Sequence, residues 1–248
     1  MQFNELKFLT EVQRIHLNQE EIGIYKAIQK SDVRSKLNNF VDYGNNPRFS
    51  AALDAICENL VGRTIFELLI TKMIAKGKKM RIVAHNNQNE GSSYDNYVVY
   101  INLSRYDKNK GDVGIESMQY YCVNADGKIE IKLKSLAESI FHEFCHALHE
   151  VSGTYTPKVE KKCRLVLAED FWTNDEELRT ICCLEHDPIC DHCFDLIMSG
   201  DSFRPRYGHG GFTKGERSEQ DESEERKKIK KHLLLSQKFM DGWKEYVV

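Results

Sequence analysis

Apolar residues fall at helical spacing in two stretches of the N-terminal part, residues 20–40 and 50–75, the second carrying Leu60, Ile65, Leu68, Leu69 and Met73. Spacings of three and four put such residues on one side of a helix, so both stretches are expected to be packing helices. From residue 79 the pattern changes. Residues 80–84 and 97–103 are short runs of β-branched and aromatic residues, separated by the polar, Asn- and Ser-rich segment 86–96. Two strands and a loop are expected there. Residues 118–123 and 128–133 then flank Asn124-Ala125-Asp126-Gly127, whose Asp-Gly pair supplies the positive φ of a hairpin turn, and the second run alternates strictly.

Directly after that hairpin, Ser135-Leu136-Ala137-Glu138 has the form of a capping box. A helix is therefore expected to start at this point and to carry Ile140, Phe141, His142, His146 and Leu148. Thr173-Asn174-Asp175-Glu176 is a second such box, opening a helix through Leu178, Ile181 and Leu184 and placing Glu177 in its first turns. Residues 203–212, with Gly208-His209-Gly210-Gly211, are expected to be loop, and residues 216–248 a charge-rich helix in which Glu224 precedes Lys228 by one turn. The expected class is α+β, a small mixed sheet packed on a central helix with further helices at both ends. A single domain over 1–248 is expected: a helical part (1–78), a core (79–212) and a charged terminal helix (213–248).

Composition narrows the function. A chain of 248 residues that is 41% apolar and 29% charged reads as soluble and globular. Its formal net charge of −3 supplies no domain-wide basic field, so no nucleic-acid partner is expected, and a protein or peptide partner is. No apolar run approaches the roughly 20 residues of a membrane span, and the first twenty residues lack a signal-peptide core. The 8 cysteines show no evenly spaced disulfide framework, which suits a reducing compartment. A monomer in the cytoplasm, or in another cell's cytosol after export by a non-Sec route, fits these features.

The candidate chemistry lies at His142-Glu143-Phe144-Cys145-His146. Positions four apart share a helix face about 6 Å apart along the axis, so both imidazoles can reach one ion. Glu143, about a quarter-turn away, can contact an activated water instead of the metal, the place of a general base. A catalytic zinc takes three protein ligands, so one more is needed. His149 is nearest in sequence, but three ligands from two turns of one helix would crowd the ion, and His149 is expected to support the site instead. The metzincin continuation is absent, since His149 and Ser152 occupy its places. A glutamate on a later helix remains.

His142-Glu143-Phe144-Cys145-His146-Ala147-Leu148-His149, followed by Glu176-Glu177-Leu178-Arg179-Thr180 and by Arg204-Pro205-Arg206-Tyr207, resembles the catalytic apparatus of clostridial neurotoxin light chains. It looks equally like the smaller NleD-type bacterial effector metalloproteases. The resemblance covers residues 135–210 and rests on three motifs in order. It implies a zincin-like fold of the gluzincin type, one catalytic Zn2+ held by His142, His146 and Glu177, and Glu143 as general base. It also implies an oxyanion clamp made by Arg204 and Tyr207, with Arg206 competing for the arginine's role. A cation and a phenol placed beside developing negative charge contribute several kcal/mol in a dry site. The activity implied is hydrolysis of a host cytosolic protein: zinc lowers the pKa of its water towards about 7, and Glu143 takes the proton and passes it to the leaving amine.

Cys182, Cys183, His186, Cys190, His192 and Cys193 form a competing cluster, with Cys190 and Cys193 at zinc-knuckle spacing. Adjacent Cys182 and Cys183 point apart on a helix, and the plain alternative is buried thiols with two loop histidines. Three functions therefore stand: an effector endopeptidase, a noncatalytic scaffold with metal at the cysteine cluster, and a housekeeping zinc peptidase.

Overall fold

The computed structural model describes residues 4–85, 92–106, 117–123, 129–155, 175–182 and 187–199. It begins with a helix in the first twenty residues, α1 (Glu5–His16), where the apolar pattern is too thin to announce one: only Phe8, Val12 and His16 of it are buried. The expected helix over 20–40 is two, α2 (Gln19–Gln29) and α3 (Val33–Leu37), each opened by its own cap, at Asn18 and Asp32. A buried ion pair between Lys72 and Glu21, 2.7 Å, ties the first of these to α5.

The expected helix over 50–75 is also two, α4 (Pro47–Glu58) and α5 (Leu60–Lys76). Asn59 makes the break. Its backbone is extended, and its side-chain oxygen accepts from the amides of Val61 at 2.9 Å and Gly62 at 3.2 Å. That is N-cap chemistry, which a stripe of apolar residues does not reveal. Gly62 lets the two helices meet: a Cβ on it would lie 2.1 Å from the carbonyl oxygen of Ile56. Because that neighbour is backbone, Gly62→Ala should destabilise the protein by about 1–3 kcal/mol or more. A denaturant midpoint equal to that of the wild type would contradict this packing.

A four-stranded mixed sheet follows, built from β1 (Val41–Asp42), β2 (Met80–His85), β3 (Ser93–Asp95) and β4 (Val98–Asn102) in the order β1-β2-β4-β3. The first three in that order run parallel, with Ile82 opposite Val99, and β3 runs antiparallel to β4, with Tyr94 opposite Val99. The segment expected to be loop thus contains a strand, and the expected strand at 97 begins one residue later. Asn96 and Tyr97 form the intervening turn with φ of 42° and 63°. Two positive φ values suit a tight hairpin and are costly for a tyrosine. The Tyr97 amide donates to the Tyr94 hydroxyl at 3.0 Å, holding the turn closed.

The second hairpin appears as expected, β5 (Ser117–Val123) against β6 (Ile129–Ser135), with Tyr121 opposite Ile131; its Asp-Gly turn lies outside the described residues. Helix α6 (Leu136–Ser152) begins at the expected box, in which Ser135 and Glu138 satisfy each other's backbone amides. Gly153 ends it in the left-handed region at φ 74°, and the Thr154 amide donates back to His149 O at 2.8 Å. This helix is buried almost throughout and packs against α4, α5, the sheet and two later helices, α7 (Asp175–Cys182) and α8 (Asp191–Ser199). Phe144 meets Phe66 of α5 at 5.7 Å between ring centroids, and Phe141 stacks on Phe194 of α8 at 4.3 Å. The coarse expectation of an α+β chain with a small mixed sheet is met, and no described helix is long and apolar enough to cross a membrane. The expected terminal helix lies outside the described residues.

Candidate metal centre and active site

One turn of α6 separates His142 from His146, and their Nε2 atoms face each other at 3.3 Å. Glu177, from the first turns of α7, closes the group with carboxylate oxygens 3.2 Å from His142 Nε2 and 3.6 Å from His146 Nε2. Ligands about 2.0–2.1 Å from a tetrahedral ion stand about 3.3–3.4 Å from one another. The two ring nitrogens therefore have the spacing of two corners of one coordination tetrahedron, Glu177 offers one oxygen near each of them, and the ligand atoms of all three buried residues lie within 4.8 Å of one another.

What lies behind the rings strengthens that fit. His142 Nδ1 is 2.8 Å from Asp191 Oδ2, and His146 Nδ1 is 3.0 Å from Glu176 Oε1. A ring that donates from Nδ1 to a carboxylate keeps its Nε2 lone pair for a metal and cannot rotate freely. Burial opposes protonation of His146, but hydrogen bonds to Glu176 and Glu177 outweigh it and lift the ring to about 10. Burial likewise works against Glu177 and Glu176, yet the histidines bonded to each hold both carboxyls below the usual range. The carboxylates are thus ionised and ready to face a cation.

A second set of potential ligands, His146, His149 and Glu176, lies alongside. Glu176 Oε1 is only 2.6 Å from His149 Nδ1, too close for two atoms sharing an ion and right for a hydrogen bond. This set therefore supports the first. Glu176 also accepts from Arg179 at 3.0 Å, Arg179 donates to the Thr154 carbonyl at 2.9 Å, and the Thr180 hydroxyl stands 3.3 Å from His146 Nδ1. The adjacent glutamates point to opposite sides of the His146 ring, one meeting Nδ1 and the other Nε2.

Glu143 is buried, and its Oε2 has no hydrogen-bond partner among the described residues. A buried carboxylate oxygen ordinarily has one. Glu143 directly follows His142 on α6, and its charge is among those that favour the proton on His146.

A comparison with family models, curated proteins and solved structures finds no match to this chain. The site therefore has to be read from its own atoms.

The chain brings His142, His146 and Glu177 together, with Glu176 behind them and Glu143 next to His142 on α6. Arg204, Arg206 and Tyr207 lie outside the described residues. So do Cys183 and His186 of the cysteine cluster. Cys190 and Cys193 are buried in the hydrophobic core beside Ile189 and Phe194, where the Cys193 amide donates to Cys190 Sγ at 3.4 Å. Neither belongs to a described group of side chains placed to hold a metal. His192 is not on a loop; it is buried in α8.

Two residues of the site escape the sequence. Asp191 sits inside the Cys-x-x-Cys string, where the thiols draw attention, and nothing local says that its helix returns to α6. Asp191 shares its nine-residue helix with a second aspartate, Asp195, so its acidity does not single it out. Tyr155 follows the end of α6 and turns its ring edge-on to His146, 6.1 Å between centroids. It is half-buried, and burial followed by the charges of Glu176 and Glu177 pushes its hydroxyl up to about 12.

Proposed function

We propose that this chain is a zinc-dependent endopeptidase with a zincin-like catalytic unit, acting on a cytosolic protein of a host cell in the manner of the NleD-type effectors it resembles. The reading rests on one observation: two Nε2 atoms at tetrahedral spacing with the Glu177 carboxylate beside both, each imidazole backed by its own carboxylate. Two histidines and one carboxylate are a ligand set typical of hydrolytic zinc, and a tetrahedral ion leaves one position open beyond them. Zinc bound here would supply Lewis acidity, making a water acidic and polarising a carbonyl. Glu143, whose Oε2 has no hydrogen-bond partner among the described residues, would accept the proton and return it to the departing amine. Arg204 and Tyr207 belong to this proposal as the oxyanion clamp.

The sheet favours an extended polypeptide as substrate. Among the described residues β3 is an end strand of the order β1-β2-β4-β3, and a chain can add to such an edge by main-chain hydrogen bonds. Its Tyr94 hydroxyl donates to Glu150 near the end of α6, which ties this edge to the helix carrying the ligands. The scaffold alternative expects metal at Cys190 and Cys193, which belong to no metal-holding group among the described residues.

The deciding experiment is metal analysis joined to proteolysis. The wild type is expected to bind one zinc per chain and to generate new protein N-termini in host-cell lysate, a chelator to stop this and added zinc to restore it. His142→Ala should lose the zinc. Metal retained in His142→Ala and lost in a Cys190→Ala, Cys193→Ala variant would overturn the reading, as would cleavage indifferent to chelation.

A further inference from the structure

Helix α8 carries the carboxylate that holds His142, so whatever fixes α8 also fixes that ligand. The start of this helix is held from the far end of the chain. His16, the last residue of α1, places Nε2 2.9 Å from Asp187 Oδ1, a contact spanning 171 positions in sequence between two buried side chains. The same Asp187 oxygen accepts from the Ile189 amide at 3.0 Å, so Asp187 fixes the backbone leading into the helix. Four residues on, Asp191 reaches His142 Nδ1 at 2.8 Å. Farther along, the Asn59 side chain donates to the Phe194 carbonyl at 3.2 Å.

We infer that His16 is a positioning residue for the metal centre: by fixing Asp187 it sets the first turn of α8, and through that turn the reach of Asp191 to His142. The chemistry of the pair supports a specific role beyond packing. Burial alone would raise the Asp187 carboxyl, but the His16 charge and hydrogen bond hold it below its usual range, so an ionised acid anchors the turn. An aspartate in this place without its imidazole would be a buried carboxylate with one fewer donor, and the chain entering α8 would move to regain solvent. The helical N-terminal part is on this view a component of the catalytic unit. The consequence for metal affinity rests on the proposed zinc site; the placement of α8 does not.

The test uses the full-length chain with His16→Ala, His16→Gln, Asp191→Ala and, as a control on the same face of α1, Val12→Ala. Two quantities are measured: amide exchange across residues 189–194 in metal-free protein, and zinc affinity by competition with a chromophoric chelator. Asp191→Ala should weaken zinc by about 10–100-fold, the usual cost of removing a partner behind a metal-binding imidazole. His16→Ala, one step further out, should weaken it by about 5–10-fold and speed exchange in residues 189–194 by a similar factor relative to α4. Glutamine can place an amide donor near the position of Nε2, so His16→Gln should return both to within about 2-fold of wild type. Val12→Ala should destabilise the fold without selectively opening α8 or weakening zinc.

Unchanged exchange in His16→Ala would overturn the inference, as would equal opening of α8 in Val12→Ala at matched stability. A wild type that takes up no zinc would refute the functional proposal instead, and the exchange comparison would still decide whether His16 places α8.

Discussion

Glu143→Gln is expected to bind zinc with wild-type stoichiometry and affinity while cleaving its substrate about 10²–10⁴-fold more slowly, the range over which a positioned general base acts. The expectation follows from where the carboxylate is and what it does not touch. Glu143 is buried on the ligand helix, yet its Oε2 has no hydrogen-bond partner among the described residues, and neither set of grouped metal-binding atoms includes it. Glutamine preserves its size and one acceptor oxygen and removes its capacity to take a proton. Metal content and turnover should therefore separate. The comparison requires zinc analysis and cleavage rates on the same preparations. A Gln variant as active as wild type would remove Glu143 from the mechanism; one that loses metal and activity together would make it a ligand or a structural residue.

Glu177→Gln should act on binding, weakening zinc by more than about 100-fold, beyond the cost of disturbing a residue behind a ligand. Glu177 supplies the only negative charge among the three donors, and an amide oxygen is a poor substitute for it. A pH signature accompanies the loss. In the metal-free protein, hydrogen bonds to Glu176 and Glu177 hold the His146 proton up to about 10 against the opposing effect of burial. The sign is that of a raised base: the proton is favoured below that value and is lost as pH rises through it, so metal must displace it at neutrality. Wild-type affinity should then climb about tenfold per pH unit through neutrality and flatten towards pH 10, with about one proton released per ion bound. In Glu177→Gln part of what raises His146 is gone, and the slope should flatten at lower pH. Titration calorimetry in buffers of different ionisation enthalpy measures the proton count. A wild-type affinity independent of pH would contradict the protonated His146.

Helix α6 was legible because its evidence was local. Ser135 and Glu138 announce its start, and the spacing of His142 and His146 fixes their common face. Where the expected helices divide, the deciding atoms are caps: Asn59 interrupts an unbroken apolar stripe by bonding two amides, which hydrophobic periodicity cannot register. Strand β3 was hidden because its three residues are polar or exposed except Tyr94. Glu176 and Glu177 could be placed on a helix from sequence, but their assignment to opposite sides of His146 needs the angle at which α7 meets α6. Asp191 and His16 were out of reach altogether, since each acts on a partner 49 or 171 positions away and neither contact has a periodic signature.

Glu143, Glu176, Glu177 and Asp191 are four buried carboxyls carried by three helices, and the last three each meet a histidine of α6. An ion held by His142, His146 and Glu177 would join α6 to α7 directly, and to α8 through Asp191. Ion uptake and consolidation of α6, α7 and α8 are then two descriptions of one equilibrium. Once the site is saturated, each tenfold rise in free zinc adds about 1.4 kcal/mol to the stability of the folded chain. On the proposed function, the supply of zinc would then govern the protein's lifetime as well as its activity.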